Sequence, residues 1–476
     1  MKKIVSLVLI VGLVVSCFSL QGCKKKDEIS LAEKVDSKIT AYKTDLEDSI
    51  ETLDSSTKVC DYLSHWASAK GIDFTQDDHN NIIMEIETSE SYAQAPTTVV
   101  ICPYDSLQMQ NSVAPLAIGM YLSKNNEATG RLKVIFTDNT GNTFKGIRKL
   151  SSKYIPANSN VFCLSSNSKS YWAVNTGAGS AYEFTGDLHY TRPAKNKAFK
   201  ITIEGLPGGV PDSSLGSYPN PVKRLGNLLA QFKTNALIYE LADLQGGTSG
   251  ALYPESATAT VVINEDDFDK FEKRMDKDIE KFNNHILDDY PDAVYKYEEV
   301  KVPKKVFTAQ SMDRFVSLLY TLLDGSYNRD SDSEDLQSFT NIGRLELKDD
   351  TFTISAIANS LSESALEDID NDYQLICGLS DVSYRKTDSI PIWEGSEDNE
   401  FIAHVRDCYN EFTNKKFSLR EYIPVTQASF VNEMDKDINL INLSVSGKGL
   451  DNYAGTILTF MLTQPHEEQK LKLTNE

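Results

Sequence analysis

Histidine is scarce in this chain. Six occur in 476 residues (His65, His79, His189, His285, His404 and His466), and no two of them stand at a helical or strand spacing that would let them share a metal ion. A His-Glu-x-x-His helix and a Gly-x-Ser-x-Gly elbow are both missing. Gly447-Lys448-Gly449 lacks the earlier glycine and the hydroxyl of a phosphate loop. Basic residues are outnumbered, 48 Lys and Arg against 69 Asp and Glu, for a formal charge of −21. Such a surface repels phosphate backbones and argues against nucleic acid as a partner. Past residue 23 the cysteines are Cys60, Cys102, Cys163, Cys377 and Cys408, an odd number too scattered for a disulfide framework or a zinc ribbon. Cys102 and Cys163 sit in apolar runs and read as small buried hydrophobes. Only one stretch is apolar for long enough to approach a membrane span, from Ile4 to Gly22.

That stretch follows Lys2 and Lys3 and reads as a secretory signal over residues 1–22. Leu20-Gln21-Gly22-Cys23 resembles a bacterial lipobox, which makes Cys23 the expected lipidation site and first mature residue. Val14-Val15-Ser16-Cys17 is a second candidate that would cut the apolar core short, and an uncleaved anchor is the remaining alternative. Residues 23–35 are charged and read as a flexible tether. Cysteine followed by lysines and acids resembles the export signal of surface lipoproteins. The expected location is the cell envelope, on the outer membrane through the N-terminal lipid, with surface exposure as the stronger form of that expectation.

The rest of the chain is long enough for two or three domains. Helical periodicity runs through 44–70, with Val59, Leu63 and Trp66 on one face and Gly71 as a stop. Apolar strands are expected at Ile82–Ile86, Thr98–Cys102, Leu132–Thr137 and Asn160–Leu164, with a buried helix at Ala114–Leu122. This alternation predicts an α/β fold with a central, mostly parallel sheet covered by helices on both faces. Composition shifts near residue 184. Strands at Phe199–Glu204, Ala236–Leu241 and Ala257–Ile263 and helices at 219–235 and 265–287 then predict an inserted α+β lid domain. It continues through a helix at 311–323, a loop at 324–338, strands at 341–348 and 351–357, a helix at 362–371 and a strand at 373–379. Helix 398–413, strands near 423–430 and 438–445 and helix 451–463 return to α/β character. The expected division is a discontinuous α/β domain over 36–183 and 400–476 carrying the lid over 184–399. Gly177-Ala178-Gly179-Ser180 reads as a turn between strands, and Asp330-x-Asp332-x-Glu334-Asp335 as a solvated acidic loop, since it lacks the glycine of a calcium loop.

Several collinear segments resemble one family. Val59–Ile86 is similar to an opening helix followed by a Gly-Asn-type turn and strand. Gly205-Leu206-Pro207-Gly208-Gly209 and the segment Leu244–Pro254 (LQGGTSGALYP) are similar to the start of a lid domain, and Phe339–Gly343 and Asn359–Ser364 to its second half. Over most of 40–476 the chain resembles the di-zinc dipeptidases that include aminoacyl-histidine dipeptidase, carnosinase among them. The resemblance implies a peptidase domain with two zinc ions about 3.5–4 Å apart that polarise a peptide carbonyl and generate hydroxide. It also implies imidazole and carboxylate ligands and a glutamate as general base.

Carried over by position, those ligands are gone. The family's His-x-Asp falls on Pro103-Tyr104-Asp105, so only the aspartate that would orient the ligand histidine remains. The bridging aspartate falls near Pro115, and no carboxylate occurs in 106–126. The Glu-Glu pair falls on Asp138-Asn139, a further aspartate on Ser165, and the C-terminal histidine on Gln427. Two substrate-facing histidines map to Val210 and Asn452. The expectation is therefore no metal cofactor. Asp105 and Asp138 remain as candidate catalytic remnants, although either also suits a turn or cap. Tyr104, Asn139, Ser165 and Gln427 are expected to line the same cleft with neutral hydrogen-bonding groups, suited to recognition more than to hydrolysis. The function expected is non-catalytic binding of a small peptide, an amino-acid-like ligand or a protein partner. The alternatives are a hydrolase with a relocated site, Asp138 serving as base, and a structural subunit of an envelope complex.

Overall fold

The computed structural model describes residues 30–87, 89–124, 130–167, 169–211, 218–331, 335–434 and 437–464. The signal, Cys17, Cys23, most of the tether, part of the acidic loop and the last twelve residues lie outside them. Among the described residues no helix is long and apolar enough to cross a membrane.

Seven strands form the first sheet, in the order Phe74–Gln76, Ile82–Ile86, Leu132–Asp138, Thr98–Tyr104, Asn160–Ser166, Asn439–Val445, Tyr171–Ala173. The central four pair in parallel, and the outer strands are antiparallel. These central strands are largely apolar because both of their faces are covered. In Thr98–Tyr104, Val100 and Cys102 join the core under helices Leu31–Glu47, Ser56–Lys70, Met109–Lys124, Glu400–Thr413 and Leu450–Leu462. Val99 and Ile101 point the other way, into a smaller core closed by Phe144, Ile147, Ala428 and Phe430. Phe162 anchors the larger core, fully buried with its ring edge-on to Phe401 at 5.4 Å and Phe460 at 5.3 Å. The mostly parallel α/β architecture expected is the one observed.

The second sheet is antiparallel, in the order Val294–Val300, Lys197–Glu204, Ala257–Ile263, Tyr239–Gly246, Leu336–Lys348, Thr351–Ser360, Ala178–Asp187, Ser383–Ile390, with Gly325–Arg329 beside Leu336–Lys348. Helices Pro221–Thr234, Phe268–Ile286, Ala309–Thr321 and Glu363–Ser380 cover one of its faces. On the other face, Ala178–Asp187 and Thr351–Ser360 border a chamber shared with the first domain, while Ala198, Val262 and Val300 pack with Val302 and Val306. A close crossing fixes the loop after Tyr239–Gly246: Gly247 takes φ +72°, and a Cβ on Gly343 would meet the carbonyl oxygens of Ser249 and Gly250 at 2.4 Å. Only glycine allows backbones so near.

Five local readings are corrected. Helicity over 44–70 is broken into Leu31–Glu47 and Ser56–Lys70, because Ser55 caps the second helix by accepting from Lys58 N. The segment 373–379 is helix, the second half of Glu363–Ser380, whose Ile369, Tyr373 and Cys377 fall four apart on the buried face. Residues 427–434 are helix as well, and Gly325–Arg329 is a strand within the expected loop. Gly177–Ser180 is no turn: Gly179 and Ser180 pair with Asn359 and Ala358 inside a ten-residue strand, and a Cβ on Gly177 would meet the Ile423 carbonyl oxygen at 2.1 Å.

All five described cysteines are buried and unpaired, and burial raises every one of these thiols above its usual pKa.

Candidate functional site

Parallel strands bring their carboxyl ends to one edge of a sheet, and a crevice opens where the strand order reverses. Here Thr98–Tyr104 lies between Leu132–Asp138 and Asn160–Ser166, so the chain leaves it first to one side and then to the other. Beyond those strand ends a pocket is lined by Pro103, Tyr104, Asp105, Asn139, Ser165 and Gln427, with Val210 and Leu252 entering from the second domain. Residues more than 300 positions apart thus meet. Its cavity is small, about 40 Å³. That is room for about three waters at ~10–15 Å³ each.

The two aspartates at the strand ends are held by short-range backbone contacts. Asp105 accepts from Leu107 N at 2.9 Å and Asp138 from Thr140 N at 3.0 Å, two Asx-type turns where the strands stop. Burial holds the Asp105 carboxyl above the usual carboxylate range, opposed by the surrounding backbone N–H groups. Asp138 does not line the pocket. Its side chain has no exposed surface, and its other oxygen faces Lys145 Nζ at 3.4 Å. Asn139 accepts from Phe144 N at 2.8 Å and donates to Asn142 at 3.1 Å, which holds Phe144 at φ +55°, a left-handed conformation unusual for an aromatic residue. The Tyr104 hydroxyl donates to the Asn80 carbonyl at 2.7 Å beside Cys60, so it serves the fold beneath the pocket. Gln427 is 2% exposed; its Oε1 accepts from Thr137 Oγ1 at 2.8 Å while its Nε2 has no partner.

Two positions fall elsewhere. Pro115 is inside the buried helix Met109–Lys124, and the residues of that helix that reach the pocket are Asn111 and Ser112 in its first turn. Asn452 sits in the first turn of Leu450–Leu462, where its amide donates to the Gly449 carbonyl at 3.3 Å. Gln108, Asn111, Ser112, Asn142, Phe144 and Tyr422 also line the pocket and went unrecognised in the sequence, where isolated polar residues carry no period.

Gln108 joins the domains. Its Nε2 donates to Glu255 Oε1 at 2.6 Å, its Oε1 accepts from Asn111 at 2.7 Å, and Gly208 packs against the pair. Burial raises the Glu255 carboxyl while Gln108 opposes the shift. Ser249 Oγ donates to the Gly141 carbonyl at 2.6 Å, and Arg148 pairs with Asp388 across the same seam. Next to the pocket a second chamber of about 310 Å³ lies between the domains, sharing Asn142, Phe144 and Val425 with it.

A two-zinc centre needs a cluster of imidazoles and carboxylates. The pocket offers one carboxylate, Asp105, already engaged by backbone N–H groups, beside a proline, a serine and amides. Among the described residues no three His, Cys, Asp or Glu side chains gather as a metal site. The donor set does not fit a pair of zinc ions.

No family model matches the chain. It is 21% identical over 397 residues to the cytosol non-specific dipeptidase of Escherichia coli (strain K12), covering 75% of this chain and 81% of that protein. Its fold is similar to the crystal structure of the aminoacylhistidine dipeptidase from Vibrio alginolyticus, with a TM-score of 0.56 and 17% identity over 86% of this chain and 93% of the other. The chain is thus homologous to the cytosol non-specific dipeptidase and carries the two-domain, inserted-lid fold of the aminoacylhistidine dipeptidases.

Proposed function

We propose that this chain is a binding protein built on a dipeptidase frame, holding a small ligand or a partner's segment in the interdomain cleft without hydrolysing it. The carrying observation is the pocket at the strand ends, where Pro103, Asn139, Ser165 and Gln427 converge with no cluster of metal donors among the described residues. Hydrolysis of a peptide bond at neutral pH calls for a polarised carbonyl and an activated water. Pro103 supplies no side-chain donor, Asn139 and Gln427 are neutral amides, and Asp138 is closed off behind the pocket. Small peptides and amino-acid-like molecules come into consideration through the relatives, both of which are dipeptidases by name.

The same proposal places the protein in the cell envelope, held through lipid on Cys23, on the strength of the N-terminal sequence alone. Metabolic labelling with a tagged fatty acid, compared between the natural chain and Cys23→Ala, tests that placement.

Elemental analysis of the purified mature protein, together with a dipeptide hydrolysis screen run with and without chelator, tests the non-catalytic reading. The expected result is less than one zinc per chain and no chelator-sensitive turnover. Two tightly held metals per chain, or turnover abolished by Asp138→Asn, would establish the hydrolase instead.

A further inference from the structure

The lining of the cleft has an electrostatic bias that speaks to its ligand. Among the described residues lining the pocket and the adjoining chamber there is no Lys, Arg or His, while Asp105, Glu183 and Asp388 all contribute carboxylates. Asp388 is paired with Arg148 and Glu183 with Arg385, neither arginine belonging to the lining, so both guanidinium groups are already engaged. A free carboxylate brought into this cleft would lose water and find no cationic side chain on the lining, and the −21 charge of the chain adds to the repulsion. What the cleft does offer is neutral hydrogen bonding from Asn, Gln, Ser and Thr side chains. One such residue is not yet satisfied: Gln427 is among the pocket's lining residues, and its buried Nε2 has no acceptor.

Resting on the non-catalytic reading above, we infer that the cleft is selective for an uncharged ligand read through hydroxyl or amide groups, and excludes molecules bearing a free carboxylate. Two sources share that chemistry, a neutral sugar and a peptide whose carboxyl is blocked. Either would place an oxygen on Gln427 Nε2 and spread its polar groups along Asn142 and Asn359 towards the wider chamber.

Calorimetric titration of the full mature chain tests this with four probes: N-acetylglucosamine, glucose, N-acetyl-dialanine methylamide, and zwitterionic dialanine. The expected result is that at least one neutral probe binds about tenfold or more tightly than dialanine. A sugar response without a blocked-peptide response identifies the first source, and the reverse identifies the second. Gln427→Leu should weaken the responding probe by about tenfold, the loss of one buried hydrogen bond. The comparison of blocked with free dialanine uses the natural chain, so it stands even where that variant fails to fold. Dialanine bound intact as tightly as any neutral probe, or no binding by the three neutral probes, overturns the inference. Dialanine cleaved by the protein overturns the non-catalytic reading instead, so the two failures are distinct.

Discussion

Replacing Gln108 with leucine keeps most of the side chain's volume and deletes its amide. Glu255, raised in pKa by burial and supported at 2.6 Å by Gln108 Nε2, would then face an apolar group while the domains stay together. A hydrogen bond to a charged group contributes about 1.5–3 kcal/mol. Opening the cleft returns Glu255 to water and recovers that loss, so Gln108→Leu should favour the open arrangement by roughly 10- to 150-fold. Asn111, which donates to Gln108 Oε1 at 2.7 Å, loses its acceptor as well and adds to the effect. Amide hydrogen exchange is the direct assay: protection should fall in 205–211 and 249–256, where Gly208 and Ser249 pack on the first domain, and stay unchanged in the strand Thr98–Tyr104. Protection in both seam segments within twofold of the natural chain would refute the idea that this hydrogen bond holds the domains shut.

Three further outcomes follow from named contacts. Burial raises the Asp105 carboxyl, so the folded chain holds that proton more tightly than the unfolded chain does; this contribution is present below the ordinary carboxylate pKa and lost as pH rises through the folded value. Asp105→Asn keeps an acceptor for Leu107 N without titrating, so urea midpoints should move in the variant's favour as pH rises from about 4 to 7, and a gap that ignores pH would sink this. Gly343→Ala drives a methyl into two carbonyl oxygens at 2.4 Å and should destabilise by about 1–3 kcal/mol, seen as a lower thermal transition. Phe162→Ala removes the ring on which Phe401 and Phe460 close and should cost about 3–5 kcal/mol in chemical denaturation.

How far the sequence could be read varied with the source of each signal. The central strands were legible because a strand buried on both faces is an unbroken apolar run, and Thr98–Cys102 is one. The helix over 373–379 was not, since Tyr373, Leu375, Ile376 and Cys377 satisfy a strand's composition as well as a helix's. Period decides: Ile369, Tyr373 and Cys377 are buried while Leu375 and Leu379 are exposed, a four-residue repeat visible only when the segment is joined to the one before it. The strand Ala178–Asp187 was hidden by its glycines, although burial of Ala178, Ser180, Tyr182 and Phe184 on one face follows the two-residue alternation of a strand. At the site, no local pattern links Asp105 to Gln427. Their meeting was approached only through resemblance to a family, and the structure sets Asp105, Asn139, Ser165 and Gln427 around one pocket. Resemblance was weakest where the chain departs most, and Pro115 marks that limit, lying a full turn inside its helix.

The five sealed thiols bear on the chemistry the folded chain can undergo. A disulfide forms only when a thiolate reaches a partner sulfur, and here each described sulfur is enclosed by packed side chains and reluctant to ionise. In the folded state these five thiols are therefore shielded from oxidation and from exchange with one another. Reagents that alkylate cysteine pass these five by for the same reason. A cysteine introduced at the solvent-facing Leu107, next to the cleft residue Gln108, would accept a fluorescent reporter while the five described thiols stay dark.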